Sequence, residues 1–296
     1  FGDGRNGKSK TVELMKRFIG AENCTNLPLQ LLESNNFAMA ELFNKLANLS
    51  GDISSEALKN TGNFKSLTGR DLVTADRKFL QRIAFVNYAK MIFCANELPI
   101  SKDMSFAFFN RWIIINFKYT FINKYEYSAL EENDKQNYKI ANPEIINEIA
   151  KPEELSGLLN WSLEGLHRLR KNKKFSATTS NKEIKELWLR NSSSANAFIL
   201  DCLHEDFESS IPKTTLKKVY TMYCKKFKRK IGSDRNIKYS LETLLGVSEK
   251  YMGDQEQRFW VWEGIAFNNK KLKEWNLDPA DSKNKEMLFG VVDSSN

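Results

Sequence analysis

Histidine is nearly absent from this 296-residue chain, with only His167 and His204 present. The four cysteines, Cys24, Cys94, Cys202 and Cys224, form no C-x-x-C pair. These two gaps argue against a Cys/His zinc centre. The thiols read as buried and reduced, which sets the expected compartment as cytoplasmic, in a host cell or a viral replication site. No apolar run approaches the ~20 residues that a membrane-spanning helix needs, so no membrane segment is expected. A secretory leader cannot be assessed, because the sequence opens on Phe1 and not on Met. Hydrophobic residues make up 41% and charged residues 28%, ordinary shares for a globular protein. The length suffices for about two domains with real cores.

What the sequence does hold is concentrated at its start. Gly2-Asp3-Gly4-Arg5-Asn6-Gly7-Lys8-Ser9 fits G-x-x-x-x-G-K-[ST] at every fixed position. Glycines in such a loop let backbone N–H groups curl around phosphates. The lysine adds a point charge for the β/γ-phosphates, and the hydroxyl is placed for Mg²⁺. Apolar spacing from Thr11 to Ile19 predicts a following helix, whose N-terminus would face the phosphates. ATP with Mg²⁺ is therefore the expected ligand of Gly2–Lys10. A phosphate loop normally follows a buried strand, yet only Phe1 precedes this one. The expectation is a fragment that lacks its first strand.

Charge is uneven. The net charge is +8, while Arg168–Lys238 alone holds 18 Lys/Arg against 7 Asp/Glu, a local excess of +11. Such a block points to a polyanion, nucleic acid above all, the alternative being a solvated lysine-rich surface.

Residues 1–120 alternate predicted strands and helices, an α/β pattern with a mostly parallel sheet. Predicted strands are 27–32, 46–50, 90–95 and 112–117. Helical stretches are 37–45, 56–67 and 104–109, and 70–85 reads as a basic hairpin. Residues 121–175 read as a helical extension, and 172–180 as a linker. Residues 181–267 read as three helices followed by a β-wing, the layout of a winged helix. Residues 268–296 read as a polar, loosely ordered tail.

Five segments together resemble a known family: 2–9, 46–52, 65–71, 92–99 and 107–117. The order and spacing are similar to the helicase part of phage- and plasmid-type primase–helicases, members of the superfamily 3 AAA+ helicases. Asn96 lies 15 positions before Arg111, as that family's sensor asparagine and arginine finger do. The resemblance runs over about 1–267 and implies an AAA+-like P-loop core followed by a helical segment and a winged helix. It implies that Lys8, Asp52, Asn96 and Arg111 are catalytic. Asp52 would be the acid that coordinates Mg²⁺ with Ser9 or polarises water. The Asn96 amide would bond the γ-phosphate and the attacking water, and Arg111 would reach the nucleotide of a neighbouring subunit. Lys65, Arg70, Arg77 and Lys78 would grip DNA phosphates in a central channel, with Lys78 favoured. One departure stands out. Many relatives place two acids together, whereas Gly51 precedes Asp52 here, so the general base is open and Glu56 is a weak substitute.

Three functions compete. The favoured one is an ATP-dependent DNA helicase of a plasmid, virus or integrated element. It would work as a homo-hexameric ring on single-stranded and duplex DNA, with a fused or associated primase domain. The second is an ATP-dependent origin-binding or loading factor without unwinding activity. The third is an AAA+ ATPase acting on protein, which the basic hairpin and winged-helix pattern disfavour.

Overall fold

A computed structural model describes residues 1–2, 4–54, 56–176, 179–253 and 258–277. It is a mixed α/β structure with small sheets, some of them parallel, and no closed barrel among the described residues. The chain forms two units, Phe1–Glu186 and Leu187 onward.

In the first unit, α1 (Lys8–Ile19) and a short 3₁₀ turn lead to β1 (Cys24–Thr25), α2 (Leu29–Ser34), α3 (Asn36–Ala40) and β2 (Ala47–Ser50). Then come α4 (Gly62–Gly69), the hairpin strands β3 (Leu72–Arg77) and β4 (Leu80–Val86), β5 (Lys90–Phe93) and α5 (Phe106–Phe109). The remainder is β6 (Thr120–Ile122), α6 (Lys124–Ser128), α7 (Glu132–Lys135), β7 (Tyr138–Ile140), α8 (Ile145–Ile149) and α9 (Pro152–Asn172).

Strands β1, β2 and β5 form a parallel sheet in that order. All four residues of β2 are buried, as a middle strand covered on both faces requires. That includes Asn48, whose amide is hydrogen-bonded through both its oxygen and its nitrogen. Its oxygen accepts from Thr25 Oγ1 at 2.9 Å and from the Leu27 N–H at 2.7 Å, and its nitrogen donates to the Leu27 carbonyl at 3.0 Å. A buried amide satisfied in this way fixes the exit from β1. Below the sheet, Leu32, Met39, Leu42, Leu67, Val73 and Phe85 share one apolar core that joins α2, α3, α4 and the hairpin.

The first residues run beside the end of this sheet. The Gly2 N–H donates to the Ala95 carbonyl at 3.2 Å, just past β5. On the other side, the Phe1 nitrogen donates to Ile115 O and the Phe117 N–H donates to Phe1 O, both at 2.8 Å. Phe1 thus lies between the end of β5 and residues 115–117.

Several expectations need correction. Residues 27–32 are not a strand. Leu29 and Leu32, both buried, sit on one face of α2, and Pro28 sets its start. Helix 37–45 is cut to α3, after which turns reach Asn44 at φ +58. Residues 56–61 are not helical, and the helix begins only at Gly62. Residues 112–117 form no regular strand, because their extended backbone bonds reach Phe1 only and one residue makes no ladder. Region 121–175 is not purely helical, since β6 and β7 pair in parallel within it.

The second unit is built from the end of α10 (Asn181–Ser192), α11 (Ser194–Cys202), β8 (Leu203–Pro212), α12 (Lys213–Lys226), α13 (Asp234–Leu245), β9 (Glu249–Gly253), β10 (Arg258–Phe267) and α14 (Asn269–Glu274). Its antiparallel sheet has the order β8-β10-β9. Phe198, Val219, Tyr220, Tyr223, Leu241, Trp262 and Ile265 form a core of their own. Tyr220 and Tyr223 are fully buried in this core. Strand β8 has no counterpart among the predicted elements, because its middle, His204–Ser210, is polar but for the exposed Phe207. The tail is ordered where described. Leu272 and Leu277 are buried in this core and Trp275 packs against it. No helix among the described residues is long and apolar enough to cross a membrane.

Candidate functional site

Two sharp backbone features shape the loop before α1. Gly2 has φ +151, and a Cβ there would come 2.6 Å from the Phe117 carbonyl oxygen, so only glycine fits. Gly7, at φ +87, forms the left-handed cap from which α1 starts at Lys8. Arg5 is also left-handed, at φ +58. Its carbonyl accepts from the Phe121 N–H at 2.7 Å, and its guanidinium pairs with Glu126 at 3.3 Å. Residues 117–126 therefore brace the loop from outside. Glu126 itself is held by a capping box with Asn123 at the start of α6. Sequence reasoning misses these braces, although the Asn-x-x-Glu spacing of that box is visible in it.

Lys8 is buried, and its ammonium is fully engaged. It donates to the Gly2 carbonyl, to Asn6 Oδ1 at 3.0 Å and to Asn96 Oδ1 at 2.8 Å. A buried cation would be costly without such oxygens. Asn6 is buried too, and its amide also reaches the Phe117 carbonyl at 3.5 Å. Ser9 and Lys10 are on the first turn of α1, where Lys10 is exposed and pairs with Glu13 at 3.0 Å. Asp3 lies outside the described residues.

Parallel pairing brings the two other polar groups to the same place. Past β2 and β5, the Cys94 N–H donates to Ser50 O and the Ile53 N–H to Cys94 O, both at 2.9 Å. This sets Gly51–Asp52 and Asn96 side by side at the carboxyl ends of adjacent strands, the usual crevice of open α/β sheets. A cleft of about 360 Å³ is lined there by Gly4–Lys10, Gly51, Asp52 and Asn96. Asp52 is the one carboxylate among these lining residues. Glu56 does not line the cleft; its carbonyl accepts from Gln30 Nε2 at 3.3 Å. Ser9 and Asp52 supply the hydroxyl and carboxylate oxygens that a hard Mg²⁺ ion takes, so the residues present fit that ion.

Arg111 does not line the cleft of its own chain. It follows α5, donates from Nη1 to the Ala107 carbonyl, and has Nη2 beside Gly69. Its buried Nε has no hydrogen-bond partner among the described residues.

Of the four cations assigned to DNA, only Arg77 and Lys78 are on the hairpin. Lys65 sits on α4, half-buried, and its ammonium is committed to Asp103 at 2.9 Å. Arg70 is the exposed, left-handed C-cap of α4 at φ +63. Val73, Ala75 and Phe85 anchor the hairpin base. Arg77 is half-buried and bonds Gln81 O at 3.1 Å, while Lys78 is exposed at the turn.

In the second unit, four of the eight cations from Lys213 to Lys230 are committed to internal contacts. Lys213 pairs with Glu249 at 2.7 Å and Lys217 with Asp234 at 2.9 Å. Lys226 donates to Trp275 O at 2.6 Å and Arg229 to Arg190 O at 2.8 Å. Lys218, Lys225, Lys228 and Lys230 are at the surface, with no ion pair among the described residues.

Residues 1–111 match the model of a family of unknown function (DUF5906). None of the curated proteins matches the chain. Among solved structures, it is similar to one described as the A form apo structure of NrS-1 C terminal region-CTR. The identity is 15% and the TM-score 0.32, over 89% of this chain and 64% of that one. A second, the apo structure of NrS-1 C terminal region (305-718), gives 14% identity and a TM-score of 0.32 over 89% and 65%. The chain thus spans slightly under two thirds of the length of these structures.

Proposed function

We propose that the first unit is a P-loop AAA+ ATPase core and that the chain is the motor of an ATP-dependent DNA helicase. The observation that carries this reading is the meeting of Lys8 and Asn96 at 2.8 Å in a cleft that also takes in Ser9 and Asp52. Four groups from three separate segments converge where a loop of backbone N–H groups opens onto a helix N-terminus. Lys8 holds the β/γ-phosphate charge, Asn96 orients the attacking water, and Asp52 with Ser9 holds the metal. Ser9 and Asp52 would hold Mg²⁺, which would supply positive charge to offset the charge developing on the phosphate. Arg111 serves the cleft of a neighbouring subunit, because its guanidinium is absent from its own. The active form is therefore a ring. The hairpin, through Lys78, contacts single-stranded DNA, and the second unit acts as a winged helix that contacts duplex through Lys218, Lys225, Lys228 and Lys230.

The test is ATP hydrolysis by the purified chain with and without single-stranded DNA, paired with strand separation of a forked duplex. Stimulated hydrolysis with unwinding supports the motor. Hydrolysis without unwinding favours the loading factor, and no hydrolysis in any assembly state removes the nucleotide reading.

A further inference from the structure

Lys78 and Phe79 make up the two-residue turn between Arg77 and Leu80, which face each other across the hairpin. Phe79 is 93% exposed, more than any other large hydrophobic side chain described. Its backbone is left-handed at φ +59, a conformation that suits glycine or asparagine and strains an aromatic residue. The turn itself gains nothing from phenylalanine there. The ring buries nothing, and the hairpin is anchored from its other end by Val73, Ala75 and Phe85. The ring does have one companion. Lys78 Nζ lies 5.1 Å from its centroid, so an ammonium and a π face sit together on one tip.

We infer that Phe79 is a base-stacking contact for single-stranded nucleic acid, which rests on the reading of the hairpin as a DNA contact. A nucleotide unit offers both complements, a flat base for the ring and a phosphate for the ammonium. The neighbouring cations leave that phosphate to Lys78. Arg82 is paired with Asp76 at 2.5 Å, and Arg77 Nε is turned onto the Gln81 carbonyl. Single strands are selected over duplex because paired bases already cover each other's faces. Stacking also tolerates every sequence, since each base has a π face.

The test uses the full chain without nucleotide. It compares the affinity for a labelled oligothymidine with that for an abasic oligonucleotide of equal length. Phe79→Ala is expected to weaken oligothymidine binding about tenfold and to leave abasic binding unchanged. Phe79→Tyr restores the difference, and Phe79→Gly, which relieves the turn, behaves like alanine. Equal loss on both strands, recovery by glycine, no loss at all, or a wild type that binds neither strand at low salt each overturns the assignment. Basal ATP hydrolysis, measured separately without DNA, stays unchanged in Phe79→Ala. Its absence from the wild type counts against the nucleotide cleft and not against Phe79.

Discussion

Asn96 Oδ1 accepts a hydrogen bond from Lys8 Nζ at 2.8 Å, across 88 positions of sequence. The contact ties the loop before α1 to the end of β5. It requires Gly2 to sit against Ala95, and Asn6 to hold the same ammonium at 3.0 Å. Under the proposed nucleotide reading, a phosphate that reaches Lys8 arrives within reach of the Asn96 amide.

Lys8→Ala is expected to abolish ATP hydrolysis, with a loss of transition-state stabilisation on the order of several kcal/mol. Asn96→Ala should lower turnover roughly 100-fold while nucleotide affinity changes little, because the amide acts chiefly on the water. Steady-state kinetics alongside nucleotide titration separates the two, and circular dichroism checks that the fold survives. Wild-type turnover in Lys8→Ala would remove the cleft from the mechanism.

The loop, the strand ends and the hairpin are legible in the sequence because each has a short-range signal. Gly2–Ser9 follows a fixed spacing, residues 90–95 are apolar before Asn96, and 70–85 alternates toward a turn. The misread stretches depend on long-range partners. Residues 112–117 have strand propensity, but propensity cannot form a ladder against Phe1 alone. Residues 27–32 are apolar enough for a strand, but burial of Leu29 and Leu32 on one face decides for helix. Lys65 reads as a free cation in sequence because Asp103, its partner, is 38 positions away. Strand β8 is polar along its middle but for Phe207 and is specified by pairing with β10.

The Lys65–Asp103 contact gives a stability prediction with a defined pH sign. Burial raises the Asp103 carboxyl, but hydrogen bonds from Ser105, Thr61 and Lys65 outweigh this and hold it well below the usual carboxylate range. A folded-state pKa below the unfolded one stabilises the protein at neutral pH. That stability begins to fall near pH ~4, where the unfolded carboxyl takes up its proton, and is lost as pH drops further. Asp103→Asn should therefore cost about 1–3 kcal/mol at pH 7. The gap to wild type should narrow below pH ~4, as read by urea unfolding at both pH values. A gap independent of pH would show that the charge of Asp103 is not what stabilises the contact.

Charge on the second unit should be separable by internal commitment. Replacing Lys225, Lys228 and Lys230 by Glu removes surface cations, whereas Lys217 is already paired with Asp234. The triple variant should weaken duplex binding and flatten its salt dependence by about 0.9 in log–log slope for each DNA phosphate that it no longer neutralises. Lys217→Ala should change the slope little. Anisotropy titrations from ~50 to ~200 mM salt provide the check. Equal slopes in all three proteins would reduce the basic block to a solvated surface.

Arg111 supplies the sharpest test of the ring. Its guanidinium is held by the Ala107 carbonyl beside Gly69, outside the cleft of its own chain, and its Nε is unpartnered among the described residues. If it acted in cis, Lys8→Ala and Arg111→Ala subunits would each carry one broken site, and mixing them would restore nothing. If it acts in trans, a Lys8→Ala subunit still lends its intact Arg111 to the next subunit. That neighbour, changed only at Arg111, keeps its own Lys8 and Asn96. One complete site then forms at the junction. An arginine finger is worth about 10³-fold or more in rate, so mixed rings should recover hydrolysis well above either variant alone. Native mass spectrometry confirms that both variants share a ring. Hydrolysis by a strictly monomeric preparation, or no recovery in confirmed mixed rings, would return Arg111 to a structural role after α5.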